Sequence, residues 1–576
     1  MSATPGSAAG GRYRRVLAPV LAGLAIALLY SARVDSKFYF LYGAEAQGIL
    51  LADALATGQG MVDLSLPGHP AHVREPPLFY FLLSVLIRLF GLRLLPLKLA
   101  MWAGYVGSAV LGTMLFQRRC RPGLAALGVV FALSAPELFR FATGPKSDLP
   151  FAAVALAALL AGESLLDRFF IGGGDLGKRI RPWAALTAGL IAAAALTRSL
   201  GLSLLLAFLG AVILGRRGPS WRRRITIALA VLLPVALALG AWSLRGARAE
   251  NPAGYSYLDW FLMDLEPDSP EMTAVDFHAP LMDRVPRASL AAAAARAARR
   301  LPFYGALDGG LLFNLNPGDL RRWGPAYLFL LALPVMLLGL WAAERGRPPL
   351  VPLFLLVYTA VLIVWPMNDQ RLVYPLLPFT GFYFLLGLTR LPAAAGAIRR
   401  KAGRAQAAAS ERSSRRAELG AAILILTALA WNQGHNLSYW RAMAGLPGVE
   451  LSPGFQVRFL SAETARSYQL LVWARAHAEP GAILMYHSPP PCRLVTGHEC
   501  RSIPFTADLR RARDYLLAGG ADYLILDEWG RIYPGGPGLF VERILRPLVA
   551  AYPADFIAVH AIDGTPAAVY RVNRAR

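Results

Sequence analysis

The sequence predicts an all-α polytopic membrane domain followed by a smaller α/β domain. Three observations carry this. Long apolar runs recur through residues 1–434, short apolar runs alternate with helix-like stretches in residues 435–576, and basic residues cluster between the apolar runs. Of the 576 residues, 56% are hydrophobic and only 16% are charged; the mean hydropathy is +0.43. A soluble protein of this size needs more polar surface than that. The formal charge of +23 does not point to nucleic acid. Lys and Arg confined to short clusters between apolar runs are the pattern of cytoplasmic loops.

About eleven spanning helices are expected, roughly at 16–33, 98–116, 123–141, 149–165, 182–197, 200–214, 225–245, 324–343, 350–366, 372–390 and 417–434. Several fall short of the roughly 20 residues a straight span needs, so their ends extend or the bilayer thins around them. Arg12, Arg14 and Arg15 precede an apolar stretch with no small-residue cleavage site, which reads as a retained first helix. The clusters Arg12–Arg15, Arg118–Arg121, Lys178–Arg181, Arg216–Arg224, Arg345–Arg347 and Arg390 to Arg416 then share one side, the cytoplasm. Residues 77–95 (PLFYFLLSVLIRLFGLRLL) are long enough to span. A span there would move every later basic cluster outside and put Arg88 and Arg93 in lipid. The segment is therefore expected to lie along the membrane surface with its arginines reaching water. The alternative is an ordinary span and an even helix count.

On this topology residues 34–97, 246–323 and 435–576 are extracytoplasmic. The last segment carries GAILMYHS, ADYLILDE, DFIAVHAI and AAVYRV, short apolar runs like buried strands, alternating with helix-like stretches near 462–477 and 506–519. It holds no GxGxxG or P-loop, so nothing supports a nucleotide site. The Ala- and Arg-rich stretch 392–416 reads as a cytoplasmic linker touching anionic headgroups.

A bilayer enzyme that moves a sugar from a lipid phosphate needs a carboxylate to take the acceptor's proton and cations to hold the leaving phosphate. It also needs an apolar groove for the lipid tail. The first external loop runs VDSKFYFLYGAEAQGILLADALATGQG and then HPAHVREPPLFYFLLSVLIRLFG. This resembles the opening of GT-C glycosyltransferases, in the branch that holds aminoarabinose transferases, protein O-mannosyltransferases and lipopolysaccharide-core transferases. TGPKSDLPFAAVALAALL, AALTRSLGLSLLLA and NDQRLVYPLLPF resemble later motifs of the same branch, in the same order.

The resemblance implies a GT-C fold with an external α/β domain, and transfer of a hexosyl or pentosyl group from a polyprenyl-phosphate-sugar donor. The acceptor would be a lipid, glycan or protein at the outer face of a bacterial inner membrane. It implies Glu45 and Asp148 as catalytic carboxylates, with Arg371, Arg198 and Lys146 on the donor phosphate. This chain departs from the pattern at three places: the Asp usual in the first motif falls on Ala44, the usual Tyr on Gly48, and the basic residue before the proline pair on Glu75, beside Arg74.

Each candidate also has a purely structural reading. Glu45 and Asp148 are placed to cap helices. Lys146 suits a headgroup anchor, Arg198 in apolar sequence needs a partner of some kind, and Arg371 could pair with Asp369. His69 and His72 are expected to be solvated loop histidines; two histidines three apart are weak support for a metal, so a divalent metal stays open but unsupported. Cys492 and Cys500 flank RLVTGHE, read as a strand and a Gly turn, and an oxidising compartment would join them as a disulfide. Cys120, in a cytoplasmic loop, would stay reduced. A transporter or flippase of lipid-linked sugars is the rival class, with an inactive GT-C relative as the third. The sequence shows no internal repeat of the transporter kind.

Overall fold

The computed structural model describes the chain apart from residues 1–4, 172–179, 216–218, 366–369, 401–407, 459–461, 529–540 and 575–576, most of 254–331, and short gaps of one to three positions between elements. The first helices are α1 (Pro5–Ser31), α2 (Gly43–Ala56), α3 (Leu78–Phe90), α4 (Leu94–Phe116) and α5 (Pro122–Leu133). Then follow α6 (Pro136–Phe141), α7 (Asp148–Ile171), α8 (Arg181–Thr197), α9 (Leu202–Leu214) and α10 (Trp221–Ala247). Farther along come α11 (Ala332–Glu344), α12 (Leu350–Val364), α13 (Leu377–Arg400) and α14 (Ala408–Ala444).

Among the described residues, five helical segments are long and apolar enough to cross a membrane: Tyr13–Ser31, Leu94–Phe116, Asp148–Phe170, Trp221–Ala247 and Arg371–Leu391. The other expected spans fall on shorter or less apolar helices, with 324–331 and 366 outside the described residues. α10 exposes Leu229, Leu233 and Leu237, an apolar face suited to lipid.

The expected span at 123–141 is two helices. Pro136 opens α6 and pushes Ala135 out of the helical region. The carbonyls freed at the break are met by side chains from elsewhere: Tyr30 donates to the Leu133 oxygen (2.6 Å) and Asn436 to the Ser134 oxygen (3.3 Å). Buried backbone groups in an apolar setting need such partners.

The segment 77–95 is broken as well. α3 has 13 residues, about 20 Å at 1.5 Å per residue, against the ~30 Å of a hydrocarbon core. Gly91, at φ 72°, ends it before α4 begins. One face, with Phe79, Leu83 and Ile87, is buried, while Phe81, Leu89 and Phe90 are exposed. Arg88 is solvent-exposed and also caps α2, donating to the Leu55 and Ala56 carbonyls (2.8 and 2.9 Å).

Short strands β1 (Lys37–Tyr39), β2 (Ala71–His72) and β3 (Pro252–Ala253) lie between the earlier helices, and past α14 the chain builds β4 (Gly448–Ser452), β5 (Phe455–Arg458), α15 (Ala462–His477), β6 (Ile483–Met485), α16 (Pro489–Thr496) and β7 (Glu499–Arg501). It then builds α17 (Leu509–Ala518), β8 (Tyr523–Leu526), a π-helical turn, α18 (Arg546–Ala551), β9 (Phe556–Ala561) and β10 (Ala568–Val572). Five strands form one sheet in the order β7-β6-β8-β10-β9, with β6 parallel to β7 and β8, and β10 antiparallel to β8 and β9.

RLVTGHE was expected to contain a strand; residues 489–496 are a helix instead. Three prolines occupy its first turn, where no backbone N–H is needed, and Gly497 closes it in the left-handed region. The disulfide joins Cys492 on this helix to Cys500 on β7, with Cα atoms 6.2 Å apart. Cys120 is not disulfide-bonded.

The C-terminal unit leans on the first loop. β1 (Lys37–Tyr39) pairs in parallel with β5. Ala46, Ile49, Phe79 and Leu83 share one apolar core with Tyr468, Leu471, Cys492 and Val495.

Candidate active site

A cavity of about 500 Å³ lies where α2, the start of α3, the start of α7, the α8–α9 junction and the α12–α13 link meet. Its polar lining includes Glu75, Lys146, Asp148, Arg198 and Arg371; its apolar lining includes Leu200, Leu202, Leu206, Val361, Leu362 and Trp365.

Local structure explains how the charges arrive. The chain breaks out of α8 at Arg198, which is extended, and re-enters helix through a single 3₁₀ turn, Ser199–Gly201. Gly201 is required there: a Cβ would sit 2.4 Å from the Ala195 backbone nitrogen. The break aims the Arg198 guanidinium at Asp148, and the two form an ion pair. Asp148 stands in the first turn of α7, where the helix dipole favours a carboxylate. Lys146 bonds Glu45 Oε1 at 2.6 Å. Burial is the main reason the Lys146 ammonium titrates below the ordinary lysine range; Glu45 opposes the drop and nearby Arg371 adds to it.

The structure thus brings Lys146, Asp148, Arg198 and Arg371 into the lining of one cavity. Glu45 is not in the lining; it reaches the cavity through Lys146. Ala44 and Gly48 are the α2 positions that face inward. At Gly48 a Cβ would meet the Tyr80 ring at 3.2 Å, so a side chain supplied by α3 fills that space.

Two residues were missed or misread in the sequence. Glu75 lines the cavity. Arg74 holds its carboxylate from behind (2.7 and 2.8 Å), and His72 Nε2 touches its other oxygen. Burial alone would raise the Glu75 carboxyl, but Arg74 and His72 hold it well below the usual carboxylate range. His72 is not solvated as expected; it is fully buried. The loop doubles back, so that His72 N–H bonds the Met61 carbonyl at 3.0 Å, and Arg245 of α10 clamps both carbonyls (2.8 and 2.7 Å). His69 stays exposed. Among the described residues no three His, Cys, Asp or Glu side chains group as metal ligands.

Solved structures with this architecture exist. ArnT from Cupriavidus metallidurans, bound to undecaprenyl phosphate, aligns over 96% of this chain and 97% of its own, with a TM-score of 0.55 and 14% identity. The archaeal oligosaccharyltransferase AglB from Archaeoglobus fulgidus, in complex with an inhibitory peptide and a dolichol-phosphate, aligns over 89% of this chain and 69% of its own (TM-score 0.53, 12% identity). The chain has the GT-C fold. At this level of identity the likeness concerns fold alone. No protein-family model and no curated protein sequence matches the chain. The GT-C fold agrees with a multi-pass membrane protein.

Proposed function

We propose that the chain is a glycosyltransferase that takes a sugar from a polyprenyl-phosphate carrier and passes it to a lipid, glycan or protein acceptor. One observation carries this: three cations, Lys146, Arg198 and Arg371, line a cavity that is otherwise largely apolar and includes the exposed Leu202 and Leu206. Such a cavity takes a phosphate head and an isoprenoid tail together. ArnT supports the reading, since its structure holds undecaprenyl phosphate.

In the reaction the sugar's C1–O(phosphate) bond breaks and its electron pair goes to the phosphate. Fixed guanidinium and ammonium groups stabilise that developing charge without reorganising. Arg198 and Arg371 offer planar forks suited to phosphate oxygens. The two carboxylates named from the sequence both sit in ion pairs, Glu45 with Lys146 and Asp148 with Arg198. Their first role on this reading is to aim the cations. The site faces the outside of a bacterial inner membrane, with the N-terminus in the cytoplasm and residues 435–576 in the periplasm, following the basic clusters.

Protein in proteoliposomes, offered undecaprenyl-phosphate pentoses and hexoses with lipid, glycan and peptide acceptors, should turn over at least one pair. It should also bind undecaprenyl phosphate, and Arg371→Ala should weaken that binding at least tenfold. Wild-type protein that binds no undecaprenyl phosphate would sink the reading. Reporter fusions near residues 120 and 405 should read cytoplasmic and one near 500 external; an external signal near 120 inverts the topology.

A further inference from the structure

Three carboxylates surround the cavity among the described residues, and they differ in what holds them. Asp148 is paired with Arg198, which itself lines the cavity. Glu45 is paired with Lys146 and stays out of the lining. Glu75 lines the cavity, yet its holders, Arg74 and His72, do not. Its charge is therefore balanced without drawing on the cations that would bind a phosphate.

We infer that Glu75 is the group that receives the acceptor's proton in this cavity. The inference rests on the glycosyl-transfer reading. As the acceptor oxygen or nitrogen bonds to C1, the C1–O(phosphate) bond breaks with its electron pair leaving on phosphate, and the acceptor's proton passes to a Glu75 carboxylate oxygen.

Two features fit the task. Arg74 and His72 hold the half-buried carboxylate at the cavity lining, so its position is set before an acceptor arrives. The loop that carries it is clamped by Arg245 and by the Met61–His72 backbone bond, so it is fixed in position, as a proton acceptor must be. Ala44, the neighbouring cavity-facing position on α2, leaves room for an acceptor beside it.

The test separates Glu75 from Asp148 and from the parent reading. Undecaprenyl phosphate binding and single-turnover transfer from the best undecaprenyl-phosphate sugar are measured for wild type, Glu75→Gln, Glu75→Asp and Asp148→Asn. Glu75→Gln should bind the lipid phosphate within about threefold of wild type and transfer about 10²–10⁴-fold more slowly, with Glu75→Asp between the two. Asp148→Asn should lose binding and transfer together, because Arg198 loses its guide. Near-normal transfer by Glu75→Gln overturns the inference while leaving the glycosyltransferase reading intact. A tenfold loss of lipid-phosphate binding in Glu75→Gln overturns it too, by making Glu75 part of the phosphate cradle. If wild type itself transfers from no donor, both fall.

Discussion

α7 meets two ion-pair clusters. At its first residue, Asp148 joins Arg198 at the wall of the cavity. Fifteen residues on, about 22 Å along the helix, Glu163 joins Arg119, which also binds Glu344 (2.5 Å), while Tyr383 donates to the same Glu344 oxygen (2.6 Å). The second cluster lies apart from the cavity lining; Arg119, Glu163 and Glu344 are at least nine-tenths buried, while the part-exposed Arg118 reaches Glu163 from the edge at 3.6 Å. It ties the end of α4 to α7, α11 and α13. The same residue types thus serve two ends. Where a cavity opens beside the pair, the charges can be shared with a ligand; where packing closes over it, they can only hold helices together.

The contrast predicts opposite phenotypes. Arg119→Ala removes the buried cation between Glu163 and Glu344, leaving Glu163 with Arg118 (3.6 Å) and Glu344 with the Tyr383 hydroxyl (2.6 Å), at a cost of about 3–5 kcal/mol. Little monodisperse protein should survive size-exclusion in detergent, and Arg119→Lys should rescue poorly, because an ammonium cannot serve both carboxylates as a fork does. A well-folded Arg119→Ala would mean that the sealed cluster is no clamp. At the cavity end, Asp148→Asn should leave the melting temperature within a few degrees and cut transfer about 10²–10³-fold. A large loss of Tm there, with activity per folded molecule kept, would erase the distinction.

Smaller effects test the surroundings of the cavity. Replacing Cys492 and Cys500 with Ser should cost about 2–3 kcal/mol in the chain-entropy picture, read as a lower Tm. Alkylation without reductant should modify Cys120 and spare the pair in wild type. The smallest effect follows from Glu75. Its folded carboxyl titrates below its ordinary value of 4.5, so the stability it adds is complete above that value and is lost as pH falls through the lower one. The Tm gap between wild type and Glu75→Gln should hold steady near neutrality and shrink only in strong acid. A gap that closes near pH 6 would place the carboxyl elsewhere.

The sequence made much of the fold legible where the signal was local. Apolar runs marked the helices, and the runs in GAILMYHS, ADYLILDE, DFIAVHAI and AAVYRV contain β6, β8, β9 and β10. Lys146, Asp148, Arg198 and Arg371 were picked singly, and the structure puts them around one cavity. Failures came where distant parts decide. Prolines at 489–491 override the apolar look of the segment that follows. His72 reads as a loop residue until Arg245, 173 positions away, clamps the loop over it. Glu75 stood out only as a departure from a basic pattern; that it faces a cavity depends on His72 and Arg74 folding behind it.

The pairing of β1 with β5 sets a clock. Lys37 waits for Gln456, made 419 positions later. At elongation rates of about 5–20 residues per second, that is roughly 20–80 s. Through this interval α2 stands beside the forming cavity without the partners on α15 and α16 that complete its core. Any product stopped by premature termination before residue 456 therefore lacks one wall of the shared core, however well its helices insert. The support behind α2 is completed only at the end of synthesis.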